Sequence, residues 1–124
     1  MRAILDTSVF IRRERGRDSE LPAEAAISVV TLAELELGVL LASPTDRPAR
    51  LRTLDEASQL EALPIDRSVG HAYARIVAAA RRLGRRPRAF DSLIAATAIV
   101  QGADVYTADA DFSRLPEVVV IRLP

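Results

Sequence analysis

Four acidic side chains stand at the ends of predicted buried elements, where carboxylates could act together. Asp6 follows a short apolar run at the N-terminus, and Glu34 comes soon after a second apolar run. Asp91 opens the most apolar segment of the chain, and Asp109 follows another predicted strand, with Asp111 two residues further on. In open parallel sheets, ligands bind outside the carboxyl ends of the strands. We therefore expect these acids to converge at one edge of a sheet.

Carboxylates crowded at one edge repel one another, and at least one would have to take up a proton. A divalent cation removes this problem, and Mg²⁺ and Mn²⁺ prefer carboxylate and water oxygens as ligands. Such an ion can activate water and neutralise charge that develops on a phosphoryl group. Zinc is not favoured, because the chain has His71 as its one histidine and no cysteine. The acids therefore predict a Mg²⁺ or Mn²⁺ site suited to phosphoryl chemistry.

Each acid also has a purely structural interpretation. Asp6 and Asp109 could be ordinary turn residues. Ser28 or Thr31 could cap the helix that carries Glu34, Glu34 could complete a capping box with Thr31, and Asp91 could be the N-cap of its own helix. The sequence leaves these alternatives open for each acid taken singly.

Hydroxyl and arginine side chains accompany the acids. Ser8 and Thr107 could orient a carboxylate or hold a metal-bound water, or they could only satisfy the backbone of a loop. An arginine-rich stretch at residues 81–88 immediately precedes Asp91. This stretch could hold backbone phosphates of a nucleic acid, or it could be a solvated helix end whose arginines favour the C-terminal dipole.

The composition sets the class of protein. The chain has 124 residues, 49% of them hydrophobic and 27% charged, which is typical of one globular domain, here residues 1–124. Its formal net charge is zero, and all 17 basic residues are arginine. No stretch approaches the roughly 20 apolar residues of a membrane span, and no secretory signal precedes the first strand. We expect a cytoplasmic protein that does not associate with membranes.

Short apolar runs alternate with helical periodicity along the chain. We predict strands at residues 4–5, 26–30, 63–65, 104–106 and 118–121, helices at 9–15, 32–41, 48–60, 66–83 and 91–101, and a loop at 17–22. Strands that alternate with helices favour an α/β fold with helices on both faces of a parallel sheet. The prediction is therefore a three-layer fold, with a central, mostly parallel twisted sheet of four to five strands flanked by helices.

Four motifs in this order resemble those of PIN-domain ribonucleases, specifically the VapC toxins of VapBC toxin–antitoxin pairs. The motifs are LDTS at residues 5–8, TLAEL at 31–35 with Gly38 after it, DSLIAATA at 91–98 and TADADF at 107–112. The resemblance covers essentially the whole chain and implies a PIN-like fold. Any one of these motifs alone would be a weak signal, and the four together are specific.

The resemblance also implies an activity and its residues. It implies a Mg²⁺- or Mn²⁺-dependent endoribonuclease that hydrolyses phosphodiesters of structured RNA, such as tRNA or rRNA, by metal-activated water. The metal-binding acids of the family carry over to Asp6, Glu34 and Asp91, and the fourth acid is Asp109 or Asp111, of which we favour Asp109. Asp6, Asp91 and Asp109 would hold one or two ions, and Glu34 would bind directly or through water. The family further implies a homodimer and a VapB-type antitoxin that covers the acidic groove.

Several other classes fit the sequence less well. A receiver domain needs a lysine near its phosphoacceptor, and the chain has no lysine. A haloacid-dehalogenase-type phosphatase would have a second acid where Ser8 stands, and a P-loop NTPase would have a G-x-x-x-x-G-K motif, which is absent. The main alternative is a catalytically silent PIN-like module that binds RNA or protein, and a DNA nuclease is a further one.

Overall fold

A computed structural model describes residues 2–16 and 20–124, and within these it forms five strands and five helices. In chain order they are β1 (Ala3–Leu5), α1 (Thr7–Glu14), β2 (Ala25–Ser28), α2 (Val29–Leu41), α3 (Arg47–Ser58), β3 (Ala62–Leu63), α4 (Arg67–Arg82), α5 (Ala89–Gln101), β4 (Asp104–Thr107) and β5 (Val120–Arg122). The described part of the chain contains no helix long and apolar enough to span a bilayer.

All five strands run parallel in the order β3-β2-β1-β4-β5. Strand β1 is central and buried, and Ile4 pairs in register with Ala26 of β2 and Val105 of β4. Because the strands are parallel, their carboxyl ends all meet at one edge of the sheet. The residues that follow β1, β2, β4 and β5 therefore become neighbours there.

Side chains of β1 alternate between two cores. Ile4 packs with Ile94 and Ala98 of α5 on one face, whereas Leu5 packs with Phe10 and other residues of α1, α2 and α3 on the opposite face. This alternation follows from the two-residue period of a strand. The predicted three-layer α/β fold with a parallel sheet is confirmed.

Helix α5 is buried on more than one side, as its composition predicts. Ile94 and Ala98 face the sheet, whereas Ala95 and Ala96 pack against α4. The helix ends at Gly102, whose φ of 63° lies in the left-handed region that favours glycine. This buried helix fixes its first turn, which carries Asp91, against the sheet edge.

Several predicted boundaries differ from the structure. Helix α2 begins at Val29 rather than residue 32, because the Ser28 hydroxyl accepts a hydrogen bond from the Val30 N–H and caps the helix. Helix α1 begins at Thr7 and α5 at Ala89, each two residues earlier than predicted. The third and last strands also differ, at residues 62–63 and 120–122. Residues 17–19 of the predicted loop lie outside the described residues.

Candidate metal-dependent active site

Asp6 lies between β1 and α1 and is 6% exposed. Its Oδ2 accepts hydrogen bonds from the Ser8 Oγ at 2.7 Å and from the Thr107 Oγ1 at 2.9 Å. The same two hydroxyls accept hydrogen bonds from the backbone N–H groups of Ala108 and Asp109. Two of the predicted roles of these hydroxyls therefore apply, since they orient a carboxylate and also satisfy a loop backbone. Asp6 itself does not cap α1 with its side chain.

Glu34 reaches the same edge from α2. Its Oε1 accepts a hydrogen bond from the Thr7 Oγ1 at 2.7 Å, and the Thr7 and Thr31 hydroxyls lie 3.4 Å apart. The prediction of a capping box between Thr31 and Glu34 is wrong, because the N-cap of the helix is Ser28, three residues before Thr31. Glu34 is therefore oriented toward the residue that follows Asp6 rather than toward its own helix end.

Burial and mutual repulsion disfavour the charged forms of two of these acids. Burial is the main cause that raises the pKa of Asp6 above its ordinary value, and the charge of Asp91 adds to it, against the hydrogen bonds from Ser8 and Thr107. Burial also raises the pKa of Glu34, to which Asp6 and Asp91 contribute, against the hydrogen bond from Thr7. A cation among these carboxylates would relieve this cost.

Asp91 lies in the first turn of α5 and is 8% exposed. The prediction that it could be the N-cap is wrong, because α5 begins at Ala89 and Arg88 occupies the cap position. The Asp91 Oδ2 accepts hydrogen bonds from the Arg88 Nε at 2.9 Å and from the Ser113 N–H at 2.9 Å. The carboxylate is thus tied to the loop that follows β4.

Asp109 and Asp111 have different surroundings. The Asp109 Oδ2 accepts a hydrogen bond from the Arg88 Nη2 at 3.0 Å, and its Oδ1 accepts one from the Asp111 N–H at 2.8 Å. These contacts lower the pKa of Asp109, with the Asp111 backbone as the largest cause and Arg88 also contributing. Asp111 is exposed, and its carbonyl rather than its carboxylate contacts Arg88. Asp109 lines the cavity that Asp6 also lines, and Asp111 does not line it.

All four predicted acids line one cavity of about 460 Å³. The acids come from four separate parts of the fold. Asp6 follows β1, Glu34 lies on α2, Asp91 lies on α5 and Asp109 follows β4. Thr7, Ser8, Arg88, Ala89 and Phe90 form the rest of the wall. The sheet edge thus brings the predicted acids together.

The donor chemistry of this cavity fits a hard divalent cation. Every acidic ligand offers oxygen, and Mg²⁺ commonly uses one or two protein carboxylates together with substrate phosphate and water. Within residues 2–16 and 20–124, no three acids or histidines form a ready-made ligand group. Arg88 supplies the positive charge between Asp91 and Asp109, with its Nη2 2.8 Å from the Asp91 Oδ2.

Two features of the site were not predicted from the sequence. Arg88 belongs to the basic stretch at residues 81–88, and its place three residues before Asp91 allows the two side chains to pair. Phe90 is 54% exposed at the cavity wall, next to Asp91. Phe90 directly precedes Asp91 in the sequence, and this position beside a predicted site acid is the signal that could have identified it.

The fold and the cavity place this chain in a known class. Residues 3–118 match the family model described as the PIN domain, so the chain belongs to the PIN-domain family. It is 44% identical over 116 residues to Ribonuclease VapC5 of Mycobacterium tuberculosis, with 90% of this chain and 86% of that protein covered. It is also 44% identical to Ribonuclease VapC4 of the same organism, with 98% and 97% covered.

A solved structure agrees with these relatives. The chain is similar to a crystal structure described as a member of the VapBC family of toxin–antitoxin systems, VapBC-5, from Mycobacterium tuberculosis. The TM-score is 0.85 at 39% identity, and 98% of each chain is covered. The predicted resemblance to the VapC toxin family is therefore confirmed.

Proposed function

We propose that this protein is a Mg²⁺-dependent endoribonuclease, with Mn²⁺ as a substitute, and the toxin of a type II toxin–antitoxin pair. The observation that carries the proposal is the meeting of Asp6, Glu34, Asp91 and Asp109 at one cavity. The proposal is also supported by sequence similarity, because the chain is 44% identical to each of two VapC ribonucleases. Residues 1–124 would then form a single PIN domain that acts in the cytoplasm on structured RNA.

The acids have distinct proposed roles. Asp6, Asp91 and Asp109 hold one or two divalent cations, and Glu34 binds directly or through water. When bound, the cation would supply activated water and neutralise charge at the phosphoryl group. Ser8 and Thr107 keep the Asp6 carboxylate directed into the cavity through their hydrogen bonds.

Arg88 balances charge in this arrangement. Its guanidinium lies within 3.0 Å of oxygens on both Asp91 and Asp109, and its Nη2 also donates to the Asp111 carbonyl at 2.8 Å. A polyanion that approaches four carboxylates is repelled, and each positive charge at the rim lowers that repulsion. Arg88 therefore holds two of the acids in place and reduces the negative potential that RNA meets.

The proposed partners follow from the relatives. VapBC-5 is described as a toxin–antitoxin system, so we propose a VapB-type antitoxin for this chain that covers the acidic cavity. We also propose that the protein forms a homodimer. RNA is the proposed substrate, because the similar VapC5 and VapC4 proteins are named ribonucleases.

A cleavage assay on matched nucleic acids tests the proposed function. The purified protein with Mg²⁺ is expected to cut a 5′-labelled structured RNA and to leave 5′-phosphate and 3′-hydroxyl ends, while single-stranded DNA of the same sequence stays intact. Addition of the cognate antitoxin should stop the reaction. Binding of RNA without cleavage would indicate a silent PIN-like module instead, and cleavage of the DNA would indicate a DNA nuclease.

A matched pair of variants separates the two candidate fourth acids. Asp109→Asn is expected to lower kcat/KM for RNA by about 100-fold or more, because it removes a cavity carboxylate, and such a loss equals about 2.7 kcal/mol of transition-state stabilisation. Asp111→Asn is expected to stay within about threefold of the parent, since only its backbone contacts the site. Circular dichroism checks that both variants fold. A larger loss for Asp111→Asn would reverse the assignment.

A further inference from the structure

A second and larger cavity opens beside the acidic one. Its volume is about 990 Å³, and it is lined by Ser8, Ile11, Arg12, Arg15, Ala108, Arg122, Leu123 and Pro124. Ser8 lines both cavities, and the Ala108 N–H donates to the Ser8 Oγ between them. The two cavities therefore adjoin at Ser8, at the edge of the sheet where β1 ends.

One face of α1 builds the first wall of this cavity. Ser8 and Arg12 lie four residues apart on one side of α1, and Arg15, the C-cap residue three positions after Arg12, lines the same cavity. The helix begins directly after Asp6, and seven residues of helix span about 10 Å. Ser8 therefore lies next to the acids, whereas Arg12 and Arg15 lie progressively further from them along the chain.

The end of β5 builds the opposite wall. Arg122 is the last residue of β5, whose carboxyl end lies at the same edge as those of β1 and β4. The Leu123 N–H donates to the Thr107 carbonyl at 2.8 Å, and the Leu123 carbonyl accepts from the Arg12 Nη1 at 3.1 Å. These bonds fix the segment after β5 to β4 and to α1.

The charge of this cavity is opposite to that of its neighbour. The described residues that line it include three arginines and no acidic side chain, whereas four acids line the adjacent cavity. Among the residues that the structure describes, Arg12, Arg15 and Arg122 form no salt bridge, and the buried Arg12 Nε has no hydrogen-bond partner. Arg122 is also close enough to Asp109 to lower the pKa of that carboxyl. Because the formal net charge of the chain is zero, this separation of positive from negative side chains is a local feature of the two cavities.

We propose that the cavity lined by Arg12, Arg15 and Arg122 binds backbone phosphates of the RNA strand on one side of the scissile bond. Arginine offers a planar fork that matches phosphate oxygens, and phosphate contacts position a strand without reading its sequence. A strand whose phosphate sits at Asp6 must leave the acidic cavity across neighbouring surface, and Ser8 joins that cavity to the basic one. This inference rests on the proposed function, because it places the substrate of that site.

Binding measured over a salt series tests the inference. The variant Arg15→Gln/Arg122→Gln is made in an Asp6→Asn background, which prevents cleavage, and is titrated with a fluorescein-labelled single-stranded RNA by anisotropy. Loss of two phosphate contacts should weaken binding about 25-fold at 0.1 M salt and reduce the slope of log K against log salt by about 1.4. Arg15→Lys/Arg122→Lys should recover much of the slope, since the charge remains.

A matched control lies on another surface. Arg67 is exposed at the start of α4 and lines neither cavity, so Arg67→Gln should keep the affinity and slope of the Asp6→Asn parent. The inference is overturned if the double variant matches this control. It is also overturned if the variant keeps RNA binding but loses binding of an acidic antitoxin peptide. If the wild-type protein binds RNA with the expected slopes but does not cut it, the proposed function fails and the phosphate site stands.

Discussion

Replacement of Asp6 with asparagine is expected to abolish RNA cleavage and leave the fold intact. Asp6 is the most enclosed acid of the cavity, and two hydroxyls direct its carboxylate. An amide has one carbonyl oxygen and no charge, so it is a poor ligand for a hard cation. We expect kcat/KM to fall at least about a thousandfold, which equals about 4 kcal/mol of transition-state stabilisation. Gel analysis of labelled RNA measures this loss.

The same variant should be at least as stable as the parent without metal. Burial raises the folded-state pKa of Asp6 above 3.8, so the folded protein holds this proton more tightly than the unfolded chain does. The contribution of Asp6 to the free energy of unfolding is then highest at low pH, and it falls as the pH rises from about 3.8 through the raised pKa. Asp6→Asn removes this decline, so its melting temperature at pH 7 should equal or exceed that of the metal-free parent.

Asp55→Asn is the matched control for Asp6→Asn. Asp55 is exposed on α3 and lines no part of the acidic cavity. The same chemical change there should leave both cleavage and melting temperature close to those of the parent. If Asp6→Asn cuts RNA at the parental rate, the assignment of Asp6 fails.

Removal of divalent cations should stop cleavage as completely as Asp6→Asn does. Without a cation, the charge of Asp91 raises the pKa of Asp6, and the charges of Asp6 and Asp91 raise the pKa of Glu34, which Arg88 offsets in part. An RNA phosphate that approaches this cavity then meets net negative charge. We expect EDTA to reduce cleavage to the background rate, and added Mg²⁺ or Mn²⁺ to restore it.

Two controls make the metal experiment specific. EDTA already saturated with Mg²⁺ should leave cleavage unchanged, which excludes a direct effect of the chelator. Mg²⁺ should raise the melting temperature of the parent, because a ligand that binds only the folded state stabilises it. Undiminished cleavage in excess EDTA would contradict a metal-dependent mechanism.

Much of this site was predictable, because the sequence pattern shows where the strands of a parallel sheet end, and these ends lie at one edge of the sheet. Short apolar runs that alternate with helices place the ends of β1, β2 and β4 at one edge, and Asp6 and Asp109 follow two of them. Asp91 was predictable from the most apolar segment, which had to be a buried helix. The prediction of a common cavity for the four acids agrees with the geometry.

Of the details that failed, the start of α2 depends on a local cap, and the other two depend on tertiary contacts. Val29 and Val30 continue an apolar, β-branched run, yet the Ser28 hydroxyl ends the strand and starts α2. The local spacing of Thr31 and Glu34 is typical of a capping box, but Glu34 bonds instead to Thr7, 27 residues away. Arg88 contacts Asp109 across 21 residues, so no local pattern could reveal that pair.

The most direct test of a metal site built by these acids is a calorimetric titration of Mg²⁺ and of Mn²⁺. The parent should release or absorb heat with saturation, Asp55→Asn should behave like the parent, and Asp6→Asn/Asp91→Asn should give only the heat of dilution. An undiminished signal from the double variant would contradict the account, as would a parent that binds neither ion and still cuts RNA.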